Sequence, residues 1–584
     1  MTAGPAKRLP LRSALLLACG FGLATGWGEL GYRAIQRFVL GSLMFQSQHI
    51  LWMTPISNVL LFGLCAVAVF AFARFLPAIA SPRAFLFLFT SLTLAAPLTS
   101  YPRLHWAAGW LLAVGIGWRV SGWIGDPSPR LRALNRVLIS LLATFTVLGL
   151  GYAYWLSGTR EPHSGVTDAP DAPNVLLVVW DTVRHKSVGL PGGGPQTTPN
   201  LTMLERTGVS FDAAMGTSSW TLPSHASLFT GHFPGEFGAS WKVPLNDEFP
   251  TLAEVLRDAG FDTAGFAGNL LYCARESGLA RGFDRYEDYP VSFRTLLRSA
   301  WLTRGLASRL GLLDDDVEFT MKPAPRIRRA FLDWLDTRTD QARPFFAFLN
   351  LIDAHAPYTP DAKTYARFSN GHARATSDDA RSWSPTEIDA ERAAYEAEIA
   401  SLDAELGVLL DDLEERGELD RTLIIVASDH GEMFGEHGLF GHGNALYRPL
   451  LHVPLVMSLP GVLPADTHVS GPVSLAEIPA TVMDLALPGV PHPFPGVDLT
   501  RIGTDQPPRP PRAAIEFHTG LDSSTPLSRG SMSAVIEGDW YYILNGDGVE
   551  ELFRLAEDPG ERSNEAENEE SVLEHMRSLV LKVS

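Results

Sequence analysis

Thr221 is a hydroxyl residue in a position from which it could attack an anionic ester. It lies in the stretch Ser219–Gly231, with the letters SWTLPSHASLFTG, just before a proline and a run of helical character. Ser and Thr are common helix N-caps and proline is favoured at the first helical position, so we expect Thr221 just outside a helix that starts near Pro223. The free N–H groups and partial positive charge of a helix N-terminus suit a phosphate or sulfate group. A simple capping role for Thr221 is the alternative.

Two apolar runs end in residues that can bind a divalent metal. The run 174–180 leads into Asp181, and the run 422–428 leads into Asp429 and His430. Short, fully apolar runs are typical of buried parallel strands, and ligands collect at the carboxyl ends of such strands. Carboxylate oxygens and an imidazole nitrogen are suitable metal ligands. Asp181, Asp429, His430 and the Thr221 hydroxyl are therefore predicted to hold one metal ion, although Asp181 alone could equally be a helix cap.

Further histidines follow an apolar run or lie in a glycine-rich stretch, where they could also reach the site. The apolar run 344–352 delivers Asp353 and His355, and the glycine-rich stretch 436–444 supplies His437 and His442. A single histidine in a loop is more often structural than catalytic. Several acidic and imidazole groups at strand ends, directed at one helix N-terminus, are much less expected by chance.

The elements that must position these residues indicate an α/β fold. Residues 251–260 have the pattern of an amphipathic helix with a glycine stop, and residues 261–266 that of the next strand. Residues 395–417 carry leucines at helical spacing, as in a helix that packs on a core. The alternation predicts a doubly wound core with a central, mostly parallel sheet flanked by helices.

The first 156 residues differ from the rest because they contain long apolar runs. The runs are Ser13–Gly28, Leu51–Ala73, Ala84–Leu98, Leu104–Trp118 and Val137–Leu156. Since a spanning helix needs roughly 20 apolar residues, we predict a bundle of about five transmembrane helices, with a cleavable signal peptide as the alternative for the first run. The predicted domains are the helical domain 1–156, a linker 157–173 rich in Gly, Pro, Asp and Ser, and the catalytic domain 174–584.

Basic residues give an orientation to this bundle. With a cytoplasmic N-terminus, most Arg and Lys residues fall in the inner loops, as in multi-pass inner-membrane proteins. An odd number of spans then places the catalytic domain on the periplasmic or extracellular side of the cell membrane. The formal net charge of −18 argues against a nucleic-acid partner. With three cysteines, two of them in apolar runs, no disulfide framework is expected.

The segment 291–312 departs from its acidic surroundings because basic residues alternate with apolar ones and a tryptophan. This pattern is found in helices that lie on an anionic membrane surface. A core-packing helix with solvent-facing arginines is the alternative.

Several blocks carry a family resemblance. The stretch 221–231, the block DAHAPY at 353–358, SDHGE at 428–432 and GHGNALY at 441–447 occur in order and at suitable spacing. From about residue 174 to about residue 564 the chain resembles the sulfatase family of the alkaline-phosphatase superfamily. The resemblance implies the sulfatase-type α/β fold and a metal-dependent ester hydrolase or transferase.

Two departures qualify the resemblance. Formylglycine sulfatases have Cys or Ser where this chain has Thr221, and Arg where it has His225. They also have a second Asp where this chain has Thr182, so a simpler metal site is expected. Together with the membrane bundle, these features resemble lipoteichoic-acid synthases and phosphoethanolamine transferases of the same superfamily, in which a metal-bound threonine is the nucleophile and a phospholipid head group the substrate.

The resulting functional prediction is a membrane-bound hydrolase or transferase acting on phosphate or sulfate esters through a covalent Thr221 intermediate, on lipid- or glycan-linked groups. The resemblance implies that His355 and His442 match family positions that serve the leaving group or a second metal, and we expect them to be catalytic groups. His225 and Arg184 are expected to bind the substrate. The cofactor is a divalent metal ion: Mn, Zn, Ca or Mg. The alternatives are a sulfatase that uses unmodified threonine and a non-catalytic membrane protein that retains the fold.

Overall fold

The computed structural model describes residues 8–39, 47–101, 104–124, 129–157, 172–194, 196–313, 320–377, 379–501, 508–518 and 520–580. By contacts the chain divides into two compact units. The first contains Met1–Gly158 and Tyr289–Glu318, and the second contains Thr159–Asp288 and Phe319–Ser584. Most of the predicted linker 157–173 lies outside the described residues. The domain boundaries taken from the sequence stay a prediction.

The first unit is helical. Its helices are α1 (Leu11–Phe38), α2 (Ile50–Phe72), α3 (Pro82–Ser100), α4 (Trp106–Ile124), α5 (Pro129–Ser157), α9 (Phe293–Ser299) and α10 (Trp301–Arg309). Among the described residues, the stretches long and apolar enough to cross a membrane are Leu11–Gln36, Ile50–Phe72, Pro82–Thr99 and Arg136–Ala153. Helix α4 is not among them, so four of the five predicted spans meet this criterion. The predicted membrane-surface segment 291–312 forms α9 and α10, which pack on α2 and α3 within this unit.

The second unit is built on an eight-stranded sheet in the order β10-β2-β9-β6-β1-β5-β3-β4. Its strands are β1 (Asn174–Trp180), β2 (Val209–Met215), β3 (Asp262–Ala267), β4 (Arg285–Glu287), β5 (Phe345–Leu351), β6 (Thr422–Ser428), β9 (Leu455–Ser458) and β10 (Thr467–Ser474). Only β9 runs antiparallel to both of its neighbours. The central strands β1, β5 and β6 are buried along their whole length, as their uninterrupted apolar sequences require. The predicted mostly parallel sheet is confirmed.

Helices cover both faces of this sheet. They are α6 (Pro199–Arg206), α7 (Thr221–Thr230), α8 (Leu252–Asp258), α11 (Ala324–Thr337), α12 (Ala362–Ala366), α13 (Pro385–Glu415), α14 (Arg448–Leu451) and α15 (Ile478–Ala486). Apolar residues of α7, α8 and α15 form one core layer, and those of α6, α11 and α13 form the other. Alternate residues of each strand enter opposite layers because a strand points successive side chains to opposite faces.

A smaller antiparallel sheet follows along the chain. It contains β11 (Arg512–Ile515), β12 (Met532–Glu537), β13 (Trp540–Leu544) and β14 (Glu550–Arg554), and helix α16 (Glu570–Leu579) packs on it. A two-stranded hairpin, β7 (Met433–Phe434) with β8 (Phe440–Gly441), precedes the strand β9. Apolar residues of β11–β13 share a core with the stretch 445–451, which therefore holds the loop before it in place.

Helix boundaries depart from the sequence pattern in two places. Helix α13 begins at Pro385, ten residues before the predicted start at Tyr395, because Ser384 and Glu387 form a capping box there. Helix α8 ends at Asp258, and Gly260 has the positive φ that the chain needs to turn into β3.

Candidate active site

The carboxyl edge of the sheet brings the polar groups of the site together. Asp181 follows β1, Asn269 follows β3, and the pair Asp429–His430 follows β6, while Asn350 lies near the end of β5. The strands β6, β1, β5 and β3 are consecutive and parallel, so their carboxyl ends lie side by side. The sheet order therefore gathers residues that are far apart in sequence at one edge.

Asp181, Asp429 and His430 form a group that could hold a metal ion. Their ligand atoms lie within 4.8 Å of one another, and all three side chains are buried. Asp181 Oδ1 and Asp429 Oδ2 are buried without a hydrogen-bond partner among the described residues. Buried carboxylate oxygens are costly unless a donor or a cation satisfies them. Oxygen ligands with one imidazole fit a divalent ion, so the residues present suit such a group.

The pKa values of Asp429 and Asp181 depart from the ordinary carboxyl value in opposite directions. Burial together with the nearby charge of Asp181 raises the pKa of Asp429 well above its ordinary value. Burial opposes ionisation of Asp181 too, but His355, His430 and His225 hold its pKa below the ordinary value. Two buried carboxyl groups at this distance resist carrying two charges unless a cation joins them. Both groups are thus set to bind positive charge.

The second oxygen of each carboxylate is held by the protein. Asp429 Oδ1 accepts the backbone N–H groups of Thr182, at 3.1 Å, and His430, at 2.9 Å. Asp181 Oδ2 accepts the Asn269 side-chain amide at 2.9 Å. These bonds fix both carboxylates so that the remaining oxygens face the centre of the group.

Thr221 lies at this group. Its Oγ1 is 3.3 Å from Nε2 of His430, and only 2% of the residue is exposed. The helix α7 begins at Thr221 itself, with Trp220 as the N-cap residue, so the expected position of Thr221 just outside the helix is wrong. The alternative of a simple capping role does not apply either. Pro223 is the third helical residue, because every position of a first turn tolerates the missing N–H of proline. The Thr221 hydroxyl therefore makes no capping bond and lies against His430 of the metal-type group.

His225, one helical turn later, is also buried at the group. Its Nδ1 lies 2.9 Å from the carbonyl oxygen of Thr221 and 3.5 Å from Asp429 Oδ2, and its Nε2 lies 3.5 Å from Asn350 Nδ2. Burial lowers the pKa of His225, so a neutral ring is expected at neutral pH. Both ring nitrogens have partners inside the protein.

His442 stands beside the metal-type ligands with a carboxylate behind it. Its Nδ1 is 3.1 Å from Glu432 Oε1, and Tyr358 donates to the other oxygen of Glu432 at 3.2 Å. Against the effect of burial, Glu432 raises the pKa of His442 above the ordinary histidine value. The His442 ring lies 4.6 Å from that of His430 and 4.9 Å from that of His355. An imidazole that holds its proton more strongly than an ordinary histidine thus lies next to His430.

Arg184 and His437 are placed differently. The Arg184 guanidinium is buried against Glu436, with Nη1 2.8 Å from Oε1, and its Nε donates to Ser187 at 3.0 Å. His437 stacks on Tyr447 with ring centres 3.8 Å apart. Asp353 accepts the N–H of Ala324 and so caps helix α11.

Sequence reasoning missed Asn269, Asn350 and Glu432. The amides hydrogen-bond to Asp181, and the carboxylate hydrogen-bonds to His442. Asn350 is the single polar residue in the buried strand β5, and that was an available signal. Asn269 and Glu432 gave no comparable signal, because their roles depend on which strands are neighbours.

The comparisons with known proteins cover the part of the chain that contains this site. Residues 173–489 match the Sulfatase family. The chain is 28% identical to Arylsulfatase K of Homo sapiens over 476 residues, which cover 73% of this chain and 84% of that protein. It is 26% identical to the choline-sulfatase of Rhizobium meliloti over 449 residues, which cover 68% of this chain and 83% of that protein.

Among solved structures, the phosphonate monoester hydrolase of Agrobacterium radiobacter superimposes with a TM-score of 0.56 at 23% identity. The superposition covers 70% of this chain and 95% of that one, and it shows a shared fold. The family match extends over more than half of the chain, from the strand that delivers Asp181 past the pair Asp429–His430. The chain therefore belongs to the sulfatase family of the alkaline-phosphatase-like superfamily, and it is an ester hydrolase.

Proposed function

We propose that this protein is a membrane-attached, metal-dependent hydrolase of sulfate monoesters that uses unmodified Thr221 as its nucleophile. The observation that carries the proposal is the position of the Thr221 hydroxyl, 3.3 Å from His430 Nε2. The ligand atoms of His430 and of the carboxylates Asp181 and Asp429 lie within 4.8 Å of one another, and each carboxylate has an oxygen without a hydrogen-bond partner among the described residues. A threonine cannot become the formylglycine aldehyde, so its own hydroxyl must do the chemistry if it acts.

Asp181, Asp429 and His430 would hold the divalent metal, with Thr221 as a further oxygen ligand. His430 has Nδ1 3.1 Å from the carbonyl oxygen of Gly431, which leaves Nε2 for coordination. A bound divalent ion would lower the pKa of the threonine hydroxyl and stabilise charge on the transferred group. Mn, Zn, Ca and Mg stay open as its identity.

The first half of the reaction transfers the sulfuryl group to threonine. Thr221 loses its proton to solvent, and its Oγ1 forms a bond to sulfur while the bond from sulfur to the alcohol oxygen breaks. His442, kept protonated by Glu432, gives its proton to the departing alcohol oxygen. The product of this half is a threonine sulfate ester and a free alcohol. His355 lies beside His442 on the same side and would help to bind the leaving group.

The second half releases sulfate. Water attacks the sulfur and the bond from sulfur to Thr221 Oγ1 breaks. Thr221 Oγ1 regains from solvent the proton that it lost in the first half, and the hydrogen sulfate that forms loses its proton to solvent. Neutral His442 takes the other proton of the attacking water. This returns His442 to its starting state, because the acid of the first step is the base of the second. We propose that His225 holds Asp429 and the Thr221 backbone in position and only secondarily contacts the anion, since both of its nitrogens have partners.

The charge of the site favours a substrate with a single negative charge. Two carboxylates balance a divalent ion, and Glu432 balances protonated His442. Arg184 offers no spare charge because it is paired with Glu436. A sulfate monoester carries one negative charge, whereas a phosphate monoester at neutral pH carries nearly two. The names of the relatives Arylsulfatase K and choline-sulfatase support the same class.

A second candidate is transfer or hydrolysis of a phosphodiester, such as a phospholipid head group. The observations that favour it are the unmodified threonine and the four helices able to cross a membrane. A phosphodiester also carries one negative charge, so the charge of the site accepts both classes. On this alternative, too, the catalytic unit would work at the outer face of the membrane.

A substrate panel tests the proposal on the full chain purified in detergent. The panel contains 4-nitrophenyl sulfate, 4-nitrophenyl phosphate and bis(4-nitrophenyl) phosphate, each with chelator and with each metal in turn. We expect metal-dependent turnover that is fastest for the sulfate ester. Faster turnover of the diester would favour the second candidate, and no turnover of any ester with any metal would contradict both. High-resolution mass spectrometry of rapidly quenched enzyme should find the sulfuryl group on the peptide that contains Thr221.

A further inference from the structure

The segment Tyr289–Glu318, here called the docking segment, contains a break between two helices that is buried. Helix α9 ends at Ser299, helix α10 begins at Trp301, and Ala300 between them is extended, with φ −112° and ψ 144°. Ala300 is fully buried. Such a break leaves the carbonyl of Ser299 and the N–H of Trp301 without partners inside either helix. Buried without partners, these two groups would cost free energy.

Side chains of α1 and α2 satisfy both groups. Arg33 Nη2 donates to the Ser299 carbonyl oxygen at 2.9 Å, and Thr54 Oγ1 donates to the same oxygen at 3.0 Å. Glu29 Oε2 accepts the N–H of Trp301 at 3.0 Å. The cation thus lies at the C-terminus of α9 and the carboxylate at the N-terminus of α10. Each charge faces the end of the helix dipole that attracts it.

Neighbouring contacts extend this arrangement along both helices. Ser57 and Thr303 lie with their hydroxyl oxygens 2.8 Å apart. The Arg33 guanidinium lies 5.6 Å from the centre of the Trp301 ring. Asn58 donates to the other oxygen of Glu29 at 3.2 Å, so both carboxylate oxygens have partners.

The cost of burying Glu29 and Arg33 indicates that they serve a purpose. They are 2% and 7% exposed, and they lie within the apolar stretch Leu11–Gln36, where ionisable groups are expensive. Their mutual distance of 3.8 Å is long for a strong ion pair. Their shorter contacts are with the Ser299 carbonyl and the Trp301 N–H of the docking segment. The two charged side chains therefore stabilise the backbone of that segment.

The residues on either side of the docking segment belong to the catalytic unit and are hydrogen-bonded there. Lys322 Nζ donates to the carbonyl of Glu287 at 3.2 Å, which joins the chain just before the segment to the chain just after it. Lys322 also donates its N–H to Gly268, at 2.9 Å, and Leu270 donates to Thr320 at 2.8 Å. The docking segment is therefore an insertion in the catalytic unit that leaves this unit, packs within the helical unit and returns.

We propose that the docking segment is a second attachment of the catalytic unit to the helical unit, and that Glu29 and Arg33 are the residues that hold it. The first attachment is the chain that follows Ser157. The chain then joins the two units at three points, once after Gly158 and once on each side of the docking segment. A unit held at several points has less orientational freedom than one on a single linker, so the helical unit restrains the catalytic unit as well as tethering it. This inference does not depend on which ester is the substrate.

Cysteine cross-linking in membranes tests the attachment on the full chain, in a background with Cys65→Ala. The pair Ser57→Cys with Thr303→Cys should form a disulfide under mild oxidation, detected by mass spectrometry of the linked peptides. The pair Leu60→Cys with Thr303→Cys is the control, since Leu60 is largely exposed on the same helix. Equal yields for the two pairs would overturn the proposal.

Variants of Glu29 then test what holds the segment. Glu29→Ala should lower the yield of the Ser57–Thr303 cross-link about tenfold or more, because the charge of Arg33 and the N–H of Trp301 lose their partner. Glu29→Gln keeps an oxygen that can accept this N–H and should give an intermediate yield. Gln36→Ala, on the same helix, should leave the yield unchanged.

A second cross-link separates loss of docking from loss of folding. Thr25 and Thr93 join α1 to α3, with hydroxyl oxygens 2.8 Å apart, and do not touch the docking segment. In Glu29→Ala the pair Thr25→Cys with Thr93→Cys should cross-link as in the parent. If both cross-links are lost together, Glu29 supports the whole bundle and the proposed role is wrong. It is equally wrong if Glu29→Ala leaves the Ser57–Thr303 yield unchanged.

Discussion

Thr221 combines two properties at the scale of a single residue. It occupies the first position of α7, with Trp220 at the N-cap position, and its hydroxyl lies 3.3 Å from His430, which is grouped with Asp181 and Asp429. Residue 221 is neither a cysteine nor a serine that could be converted to the aldehyde, so in the proposed mechanism the nucleophile is a simple alcohol. An alcohol needs a strong lowering of its pKa to attack at neutral pH, and the neighbouring metal-type ligands are the means available.

Thr221→Ala should abolish turnover, by about 10³-fold or more, while the thermal unfolding midpoint stays close to that of the parent. The alanine removes the attacking oxygen but leaves the helix start intact, because Thr221 makes no capping bond. Thr221→Ser retains a hydroxyl and should keep measurable activity. Both are checked by initial rates with 4-nitrophenyl sulfate. Parent-like rates in the alanine variant would refute the nucleophile assignment.

Glu432→Gln should shift the pH profile of turnover. Glu432 raises the pKa of His442 above 6.5, so in the parent the protonated acid persists above that pH and activity falls as pH rises through the raised value. Without the carboxylate this decline should begin at lower pH, and esters with poor leaving groups should be affected most. Asp389→Asn, an exposed acid, serves as control. An unchanged profile in Glu432→Gln would exclude His442 as the acid.

At the scale of elements, loops decide the shape of the site. Gly443 has φ +69°, and a Cβ there would lie 2.0 Å from the ring of Trp220. The loop that carries His442 can therefore approach α7 only because residue 443 lacks a side chain. The ring of Trp220 in turn lies 5.8 Å from that of His442.

Gly443→Ala should lower activity at least about tenfold and destabilise the protein by about 2 kcal/mol or more, since a tryptophan ring must move. Gly438→Ala is a matched control. Gly438 has a similar φ of +72°, but an added Cβ meets nothing within 4 Å. It should therefore cost only the backbone strain, about 1–2 kcal/mol, with near-parent activity. Equal effects of the two substitutions would mean that the approach to Trp220 is unimportant.

At the scale of the whole molecule, the proposed metal site would link function to stability. Removing divalent metal should lower the stability of the catalytic unit by about 2–3 kcal/mol relative to a metal concentration about 100 times Kd. The raised pKa of Asp429 sets the sign of the pH dependence. The chelated protein binds an extra proton when folded, so its stability should decrease as pH rises above the ordinary carboxyl value.

Thermal unfolding with and without chelator, at about pH 5 and about pH 8, measures this dependence. The difference between metal-loaded and chelated protein should be larger at the higher pH. In Asp429→Asn the chelated protein should lose this pH dependence. A chelator effect of the same size at both pH values would contradict the assignment of the paired carboxylates to one metal.

The second prediction at this scale concerns the side of the membrane on which the catalytic unit lies. The distribution of basic residues places the catalytic unit outside the cytoplasm if five helices span, whereas four spans would return it to the side of the N-terminus. Helix α4 decides between the two counts, because it is the one helix of α1–α5 outside the candidate spans of the described residues. Alkaline phosphatase and green fluorescent protein fused at the C-terminus report the two outcomes. We expect an active phosphatase and a dark fluorescent protein, and the reverse would overturn the predicted localisation.

The amino-acid sequence by itself determined the strands and their polar ends. Uninterrupted apolar runs define β1, β5 and β6, and the residues that follow them had to lie at a sheet edge because buried strands cannot carry charge within their length. That local physics was enough to predict Asp181, Asp429, His430 and a mostly parallel α/β sheet, whereas the sulfatase-type fold was predicted from the resemblance of ordered sequence blocks to that family. It also separated the helical part, since apolar runs of spanning length are typical of membrane helices and rare in water-soluble domains.

Only the tertiary structure decided which groups meet. Asn269 reaches Asp181 because β3 and β1 both neighbour β5, and Glu432 reaches His442 because the hairpin β7–β8 folds back. The Arg184 side chain pairs with Glu436, whereas its position three residues after Asp181 was equally compatible with a side chain that points to the substrate. The location of the docking segment in the helical unit was also not predictable from local sequence, because its partners Glu29 and Arg33 are more than 250 residues away in sequence. Contacts of such range depend on strand order and helix packing, which no local pattern encodes.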